Sequence, residues 1–190
     1  MGLAAAKSMP KDKVIVVTGR TMSKLESAVK ELEAVGYEAY AKTCDTSVRE
    51  QVRELAEYAA SLGEIKNVIN SAGLSPAMAD PEKLIRVNAL GTVYVNEEFS
   101  KRMNPGSVIV DISSNSAYIL PGFLANKKTF ALADVDEEKF VKKILSLPKK
   151  LKGYKASGLA YGLSKKFVIW YAAKSAYELG AKGIRVCSLS

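Results

Sequence analysis

The stretch Asn67-Val68-Ile69-Asn70-Ser71-Ala72-Gly73 contains the pattern that decides the fold of this chain. A short apolar run stops abruptly, and small polar residues follow it. Similar runs recur along the chain, and their length and β-branched content are typical of strands buried in a parallel sheet. We predict strands over Lys13–Thr18, Glu38–Cys44, Asn67–Asn70, Ser107–Ile112 and Ile184–Leu189.

Longer stretches with helical spacing of apolar residues lie between these strands. We predict helices over Ser23–Val35, Ser47–Leu62, Pro81–Met103 and Ser157–Leu179. The alternation indicates successive strand-helix-strand units, which build an α/β fold: a doubly wound parallel sheet with helices on both faces. Residues 1–190 are long enough for one such domain. The rhythm is interrupted at about 122–156, where the apolar pattern Phe140–Leu147 predicts a helical insertion.

The composition limits the kinds of ligand and catalytic site that this chain can have. The chain has 28 Lys and Arg against 20 Asp and Glu, and its net charge of +8 suits a phosphorylated cofactor or nucleic acid. The lysines are scattered, however, and the densest basic stretch, Pro148–Lys152, is short, so we favour a solvated surface and predict no nucleic-acid partner. Histidine is absent. This excludes histidine-based triads and histidine-ligated metals, and we predict no metal site.

The cysteines and the apolar runs indicate a compartment. Cys44 and Cys187 stand alone near the ends of apolar runs, which is the usual place of a buried, reduced thiol. Met1–Lys7 has too short an apolar run for a signal peptide, and no run approaches the ~18 residues of a membrane span. We therefore expect a soluble, cytoplasmic protein with no membrane partner.

Polar residues follow the predicted strands, and in doubly wound sheets ligands bind outside the carboxyl ends of the strands. Each residue by itself could be a helix cap, Asp45 and Thr46 especially. Five segments converging on one edge favour a binding site over chance. The residues are Thr18 and Gly19, Asp45 and Thr46, Asn70 to Gly73, Ser113 to Ser116, and the pair Tyr161 and Lys165.

The pair Tyr161 and Lys165 is four residues apart, so a helix places both side chains on one face. A fixed ammonium stabilises a neighbouring phenolate, which favours proton transfer by the tyrosine. This spacing also occurs by chance in surface helices. The pair indicates a catalytic site only together with the other segments.

The ordered set of motifs resembles the short-chain dehydrogenases/reductases over nearly the whole chain. Asn70-Ser71-Ala72-Gly73 is similar to the Asn-Asn-Ala-Gly element of that family, with Ser in place of the second Asn. Asn88, Ser114, Tyr161 and Lys165 match the family's catalytic positions in the same order. The resemblance implies a Rossmann-like fold and hydride transfer between a nicotinamide and a carbonyl or alcohol substrate.

The resemblance also implies a role for each residue. Ser114 would bind the substrate carbonyl, Tyr161 would donate or accept the proton, and Lys165 would support Tyr161 and bind the nicotinamide ribose. Asn88 would hold a water of a proton relay; the alternatives are an internal hydrogen-bonding role for Asn88, a turn for Ser114 and a solvated cation for Lys165. The implied cofactor-binding residues are Thr18, Gly19, Arg20, Asp45, Thr46, Asn70, Ser71, Ala72, Gly73, Tyr161 and Lys165.

The sequence departs from the family in two places. The glycine-rich loop that should follow the first strand is missing, since Thr18-Gly19 is followed by Arg20-Thr21-Met22. Val16 to Arg20 equally resembles the end of the family's second strand, where an arginine often meets the 2′-phosphate of NADP, so NADP is favoured slightly over NAD. The ends of two strands thus look joined at Gly19–Arg20, as if one strand-helix unit were left out.

The second departure is that the family's substrate lid and last strand do not follow Ser190. Three explanations compete for both gaps: segments missing from the recorded sequence of a longer protein, a truncated or spliced form, or deliberate shortening. We favour the first, because a direct Gly19–Arg20 link would remove the crossover between adjacent parallel strands.

The long separation of Ser114 from Tyr161 resembles the 3α-hydroxysteroid dehydrogenase/carbonyl reductase subgroup. There the insertion takes part in subunit contacts, so we expect a homodimer or homotetramer with an interface at Phe140–Leu147. A steroid or other apolar ketone is the expected substrate. Two other functions stay open: a catalytically silent scaffold unable to bind the dinucleotide and, with a poorer fit, an extended-type sugar-nucleotide epimerase.

Overall fold

The computed structural model describes residues 1–190 and contains five strands, all paired in parallel. The strands form two separate sheets. One has the order β1-β2 and the other the order β3-β4-β5. The strands are β1 (Val14–Gly19), β2 (Glu38–Thr43), β3 (Ile65–Asn70), β4 (Met103–Ile112) and β5 (Arg185–Leu189). The α/β class and all five predicted strands are confirmed, but the predicted continuous sheet is divided between β1 and β3.

The helices lie between the strands, as the alternating pattern predicts. They are α1 (Gly2–Ala6), α2 (Met22–Glu33), α3 (Arg49–Ser61), α4 (Pro81–Ile85), α5 (Gly91–Ser100), α6 (Ser116–Ile119), α7 (Lys127–Phe130), α8 (Glu137–Ile144) and α9 (Gly153–Gly180). The helix predicted over Pro81–Met103 is three pieces, because a π-helical segment, Arg86–Leu90, separates α4 from α5. It also ends earlier than predicted, since β4 already begins at Met103.

The main core lies between the β3-β4-β5 sheet and the helices on its two faces. Ile109 in the middle of β4 is fully buried, as are Val93 on α5 and Phe167 on α9. A second, small cluster of Leu32, Tyr37 and Ala39 belongs to the β1-β2 sheet. The chain thus has two hydrophobic centres, one for each sheet.

The predicted insertion at about 122–156 is part of the main core. It contains α7, α8 and the short 3₁₀ turns Gly122–Leu124, Ala131–Asp134 and Pro148–Lys150. Phe140 and Leu145 are fully buried, and the Phe140 ring lies 5.0 Å from that of Phe167. The buried side chains of this stripe are covered within the chain, so a subunit interface at Phe140–Leu147 would have to use the exposed residues there, and it stays a prediction.

The Gly19–Arg20 junction is also clearer in the structure. β1 ends at Gly19, α2 begins at Met22, and α2 leads directly to β2, which pairs in parallel with β1. The crossover between β1 and β2 is present, but β1 does not pair with β3, so a strand-helix unit left out at Gly19–Arg20 stays a prediction. No helix in the chain is both long and apolar enough to cross a membrane.

Candidate active site

The carboxyl ends of β1, β2 and β3 surround a cavity of about 320 Å³. Because parallel strands end at the same edge of a fold, the residues that follow them meet there. All nine residues expected to bind the cofactor apart from the Tyr161–Lys165 pair line this cavity: Thr18, Gly19, Arg20, Asp45, Thr46, Asn70, Ser71, Ala72 and Gly73. The structure therefore brings together three segments that are separated by about 25 residues each in the sequence.

Asp45 gives this cavity an acidic group beside a basic one. Its carboxylate accepts hydrogen bonds from the Ser47 backbone N–H at 2.9 Å and from the Ser47 hydroxyl at 2.6 Å. Partial burial would raise the pKa of Asp45, but these hydrogen bonds and the positive charge of Arg20 keep it below its ordinary value. Arg20 itself is exposed. Its guanidinium is free to meet an anion at the rim of the cavity.

Lys165 lies at the inner end of the site, on the first half of α9. It is buried, and its Nζ donates a 2.8 Å hydrogen bond to the backbone carbonyl of Ile112, at the end of β4. Nζ lies 5.9 Å from the centroid of the Tyr161 ring. Burial lowers the pKa of Lys165 to about 8, against the attraction of the Asp111 carboxylate. The structure thus places the predicted ammonium beside the predicted phenol, one helical turn apart.

Gly73 joins the two parts of the site. A Cβ at this position would lie 3.3 Å from Asn88 Oδ1 and 3.5 Å from Lys165 Nζ. The loop after β3 therefore approaches the Lys165 ammonium closely, and a side chain at Gly73 would press on Asn88 Oδ1. Gly73, which lines the strand-end cavity, therefore lies next to the Lys165 ammonium.

The buried Asn88 amide makes three hydrogen bonds within the protein. Its Oδ1 accepts from the Leu74 backbone N–H at 2.8 Å, and its Nδ2 donates to the Leu74 carbonyl at 3.0 Å and to Ser164 Oγ at 3.2 Å. It sits inside the π-helical segment, a feature that is frequent at functional sites. The amide acts as an internal hydrogen-bonding group, which was the alternative for this residue, and its role in a water relay stays a prediction.

Ser114 lies two residues beyond β4 and is half-buried. Its Oγ accepts a hydrogen bond from the Ser116 backbone N–H at 3.2 Å. Its neighbour Ser113 donates to the Lys165 backbone carbonyl at 2.8 Å and so fixes the end of β4 against α9. The turn that carries Ser114 is thereby held to the helix that carries Tyr161.

Asp111 is a site residue that the sequence analysis missed. It is fully buried in β4 and accepts hydrogen bonds from the Nδ2 atoms of Asn70 and Asn96, each at 2.9 Å. Burial raises the pKa of Asp111 to about 6, although these hydrogen bonds and the charge of Lys165 oppose the rise. The signal was present in the sequence, because a carboxylate within the apolar run Ser107–Ile112 needs buried partners.

The arrangement can bind an anionic, extended ligand along the strand ends and move a proton at its inner end. Asn70 connects the two functions, since it is the last residue of β3 at the cavity and also donates a hydrogen bond to Asp111. Tyr161 and Lys165 lie together at the inner end. A glycine-rich turn after β1 is not.

Comparison with known proteins shows what this chain is similar to. The family model for short chain dehydrogenase matches residues 1–125. A short-chain dehydrogenase/reductase, bsc3, of Alternaria brassicicola is 27% identical over 190 residues, which are 100% of this chain and 68% of that protein. An uncharacterized oxidoreductase of Methylorubrum extorquens is 31% identical over 124 residues, which are 60% of this chain and 50% of that protein.

Solved structures share the fold. A variant of actinorhodin polyketide ketoreductase with NADPH superimposes with a TM-score of 0.70 and 21% identity over 98% of this chain and 64% of that chain. NAD+-bound xylitol dehydrogenase gives a TM-score of 0.72 and 20% identity over 100% of this chain and 64% of that chain. The chain spans about half to two thirds of the length of these relatives.

Proposed function

Because this chain belongs to the short-chain dehydrogenase family, we propose that it is an NAD(P)-dependent oxidoreductase acting on a carbonyl or alcohol substrate. The observation that carries the proposal is that Gly73, which lines the strand-end cavity, lies next to Lys165, whose ammonium is beside Tyr161. The bound dinucleotide would supply the hydride. Thr18, Asp45 and the segment Asn70–Gly73 would hold it at the strand ends.

The protein's part of the reaction is orientation and proton movement. Ser114 would donate a hydrogen bond to the substrate carbonyl, and the Tyr161 hydroxyl would give its proton to the oxygen as the carbonyl is reduced. The Lys165 ammonium would stabilise the phenolate that remains. The hydrogen bond of Lys165 to Ile112 supports this role, because it fixes the charge in position.

The contribution of Lys165 can be estimated from its position. A unit charge 5.9 Å from the ring centroid, at an effective dielectric constant of about 20, stabilises a phenolate by roughly 3 kcal/mol. Replacing Lys165 with Met should therefore lower turnover about 100-fold. The test measures NADPH-dependent reduction of a panel of aromatic and alicyclic ketones by the wild type, K165M and Y161F. The matched controls are Tyr154→Phe and Lys155→Met, which change exposed residues of the same helix.

Cofactor binding is tested separately from turnover. We expect nicotinamide fluorescence to change on titration of NADPH and NADH into the wild type and into Y161F, because Tyr161 acts in the chemistry more than in the binding of the dinucleotide. Arg20→Ala should weaken NADPH binding about tenfold and leave NADH binding unchanged, since Arg20 would meet the 2′-phosphate. Lys24→Ala, also exposed on the same segment, is the control. Equal losses for both cofactors would contradict a preference for NADP.

A second candidate function is a catalytically silent scaffold. Two features favour it: the missing glycine-rich loop after β1 and the absence of hydrogen bonds between the two sheets. The titration decides between the two functions. Saturable binding of either dinucleotide supports the enzyme, whereas no binding of NADPH or NADH at millimolar concentration supports the scaffold.

The substrate we propose is an apolar ketone, including a steroid. Tyr118, Ile119 and Phe123 lie in the segment that follows Ser114 and are 69%, 79% and 83% exposed. These side chains offer an apolar contact beside the residue that would bind the carbonyl. The panel should therefore show a preference for apolar ketones, which double replacement of Ile119 and Phe123 by serine reduces.

The assembly and the compartment are further proposals. A homodimer or homotetramer in the cytoplasm stays our expectation, with an interface elsewhere than the buried face of α8. Free thiols at Cys44 and Cys187 support a reducing compartment. Sedimentation equilibrium measures the oligomeric state, and a fluorescent fusion in cells shows the compartment.

A further inference from the structure

The net charge of this chain is concentrated in one segment. Residues 139–155 contain seven lysines and no Asp or Glu. The remaining residues carry 21 Lys and Arg against 20 Asp and Glu, so almost all of the net charge of +8 lies in this segment. We call its seven basic residues the lysine patch: Lys139, Lys142, Lys143, Lys149, Lys150, Lys152 and Lys155.

The fold exposes every side chain of the lysine patch. On α8, Lys139, Lys142 and Lys143 share one stripe, because residues three and four positions apart lie on the same face of a helix. The opposite face of α8 is buried, with Phe140 fully covered. The 3₁₀ turn Pro148–Lys150 packs against α9 through its buried proline, and both of its lysines are exposed. The basic groups therefore lie on the outside of the insertion.

The ammonium groups of the lysine patch have no counter-ions within the chain. None of the seven takes part in a salt bridge. Lysines elsewhere do, for example Lys7 with Glu31 at 2.7 Å and Lys174 with Glu178 at 2.9 Å. Like charges so close together create a positive potential that attracts an anionic partner.

Apolar side chains stand between these lysines. Leu147 and Leu151 are 38% and 39% exposed, and Tyr154, near the beginning of α9, is 70% exposed. At a membrane surface, such side chains enter the boundary between headgroups and acyl chains. The apolar stems of lysines lie along the same boundary while their ammonium groups reach the lipid phosphates.

We propose that the lysine patch, together with Leu147, Leu151 and Tyr154, binds the surface of an anionic lipid bilayer. Clusters of roughly four to eight basic residues are typical of proteins that bind anionic lipids. The protein would lie on the bilayer without a segment that crosses it. This proposal replaces the expectation that the chain has no membrane partner.

The kind of basic residue favours a bilayer over other anionic partners. No arginine lies between Arg102 and Arg185. The planar fork of arginine suits nucleic acids and phosphorylated peptides, whereas lysine is a flexible point charge that suits a fluid layer of headgroups. A second copy of this chain fits less well, because a two-fold interface centred on the lysine patch would place like charges against each other.

Binding of the whole chain to lipid vesicles provides the test. We expect the protein to float with vesicles of phosphatidylcholine that contain about 30% phosphatidylserine, and not with phosphatidylcholine alone. Raising the salt concentration from about 0.1 M to about 0.5 M should weaken binding at least tenfold, because salt screens exposed charges.

A triple variant with matched charge loss tests the location. Replacement of Lys149, Lys150 and Lys152 by glutamine should weaken vesicle binding about 100-fold, since each lysine near an anionic surface contributes about fivefold. The matched control removes the same charge from three exposed lysines elsewhere and should change binding less than twofold: Lys24, Lys30 and Lys182. All six positions are exposed, and circular dichroism verifies that both variants fold.

A fluorescent probe tests whether the apolar side chains enter the bilayer. Tyr154→Trp should show a blue shift of its emission when vesicles with phosphatidylserine are added. Tyr177→Trp, at a residue that is 89% exposed near the other end of α9, should show none. Trp170 is present in both variants, so its signal is common to them.

Several results would overturn the proposal. Equal binding to both kinds of vesicle, or equal losses in the two triple variants, would show that the lysine patch does not direct the binding. A blue shift in Tyr177→Trp alone would place the contact elsewhere. Binding of RNA or of polyglutamate without vesicle binding would assign the patch to a nucleic acid or an acidic protein. Absence of vesicle binding would equally overturn the proposal, and a dimer that only the patch variant loses would assign the surface to a second copy.

Discussion

Replacement of Asp111 by Asn should change how the stability of this protein depends on pH. Burial raises the pKa of Asp111 from 3.8 to about 6. An acid whose pKa is higher in the folded state binds its proton more tightly there. It therefore favours folding at low pH, and this stabilisation is lost as the pH rises from about 4 to above 6.

The size of the effect follows from the pKa values. A shift from 3.8 to about 6 corresponds to roughly 3 kcal/mol, at 1.36 kcal/mol per pH unit. Asparagine has the shape of the protonated acid and no charge, and it can still accept a hydrogen bond from Asn70 or Asn96. We expect D111N and the wild type to have similar free energies of unfolding at pH 4, and D111N to be more stable by roughly 3 kcal/mol at pH 7.5.

Urea unfolding at pH 4, 5, 6 and 7.5 provides the measurement. Trp170 is the single tryptophan, and its ring lies 5.6 Å from that of Phe130 and 5.7 Å from that of Phe167, so its fluorescence reports on the main core. Glu26→Gln removes an exposed carboxylate and is the control. Parallel curves for D111N and the wild type from pH 4 to pH 7.5 would refute the reasoning, because they would show that Asp111 ionises in the folded state without a cost.

Two further predictions concern the core and the thiols. Phe140→Ala should lower the free energy of unfolding by about 3–5 kcal/mol at every protein concentration. Val135→Ala, at a residue that is 82% exposed in the same insertion, should have almost no effect. An effect of Phe140→Ala that appears only at high protein concentration would instead place Phe140 in a subunit interface. Cys187 is exposed, and burial raises the pKa of Cys44 to about 11. Ellman's reagent at pH 8 should therefore label Cys187 rapidly and Cys44 only in denaturant. Rapid labelling of both thiols would contradict the burial of Cys44.

The local elements of this fold could be predicted from the sequence because each depends on a local pattern. The five strands are apolar runs that end in polar residues, and the helices between them have apolar stripes at helical spacing. The structure places each predicted strand within a few residues of its predicted ends. The largest difference is at Met103, where a strand begins inside the predicted helix, since no proline or glycine marks the boundary before Asn104-Pro105-Gly106.

The site was predictable to the extent that it lies at strand ends. The general rule that ligands bind there leads to Thr18, Asp45 and Asn70 without a structure, and all three line one cavity. Asp111 was not predicted, because its partners Asn70 and Asn96 come from other elements and only packing brings them together. The same holds for the close approach of Gly73 to Lys165.

The sequence by itself determined the α/β class, the order of the elements and the pairing of Tyr161 with Lys165, because hydrophobic periodicity and a four-residue spacing act over one element at a time. Only the tertiary structure decided that the sheet is divided between β1 and β3, that the insertion packs into the core, and that a buried carboxylate supports the site. These features depend on which surfaces meet, and the meeting of surfaces is a property of the whole folded chain.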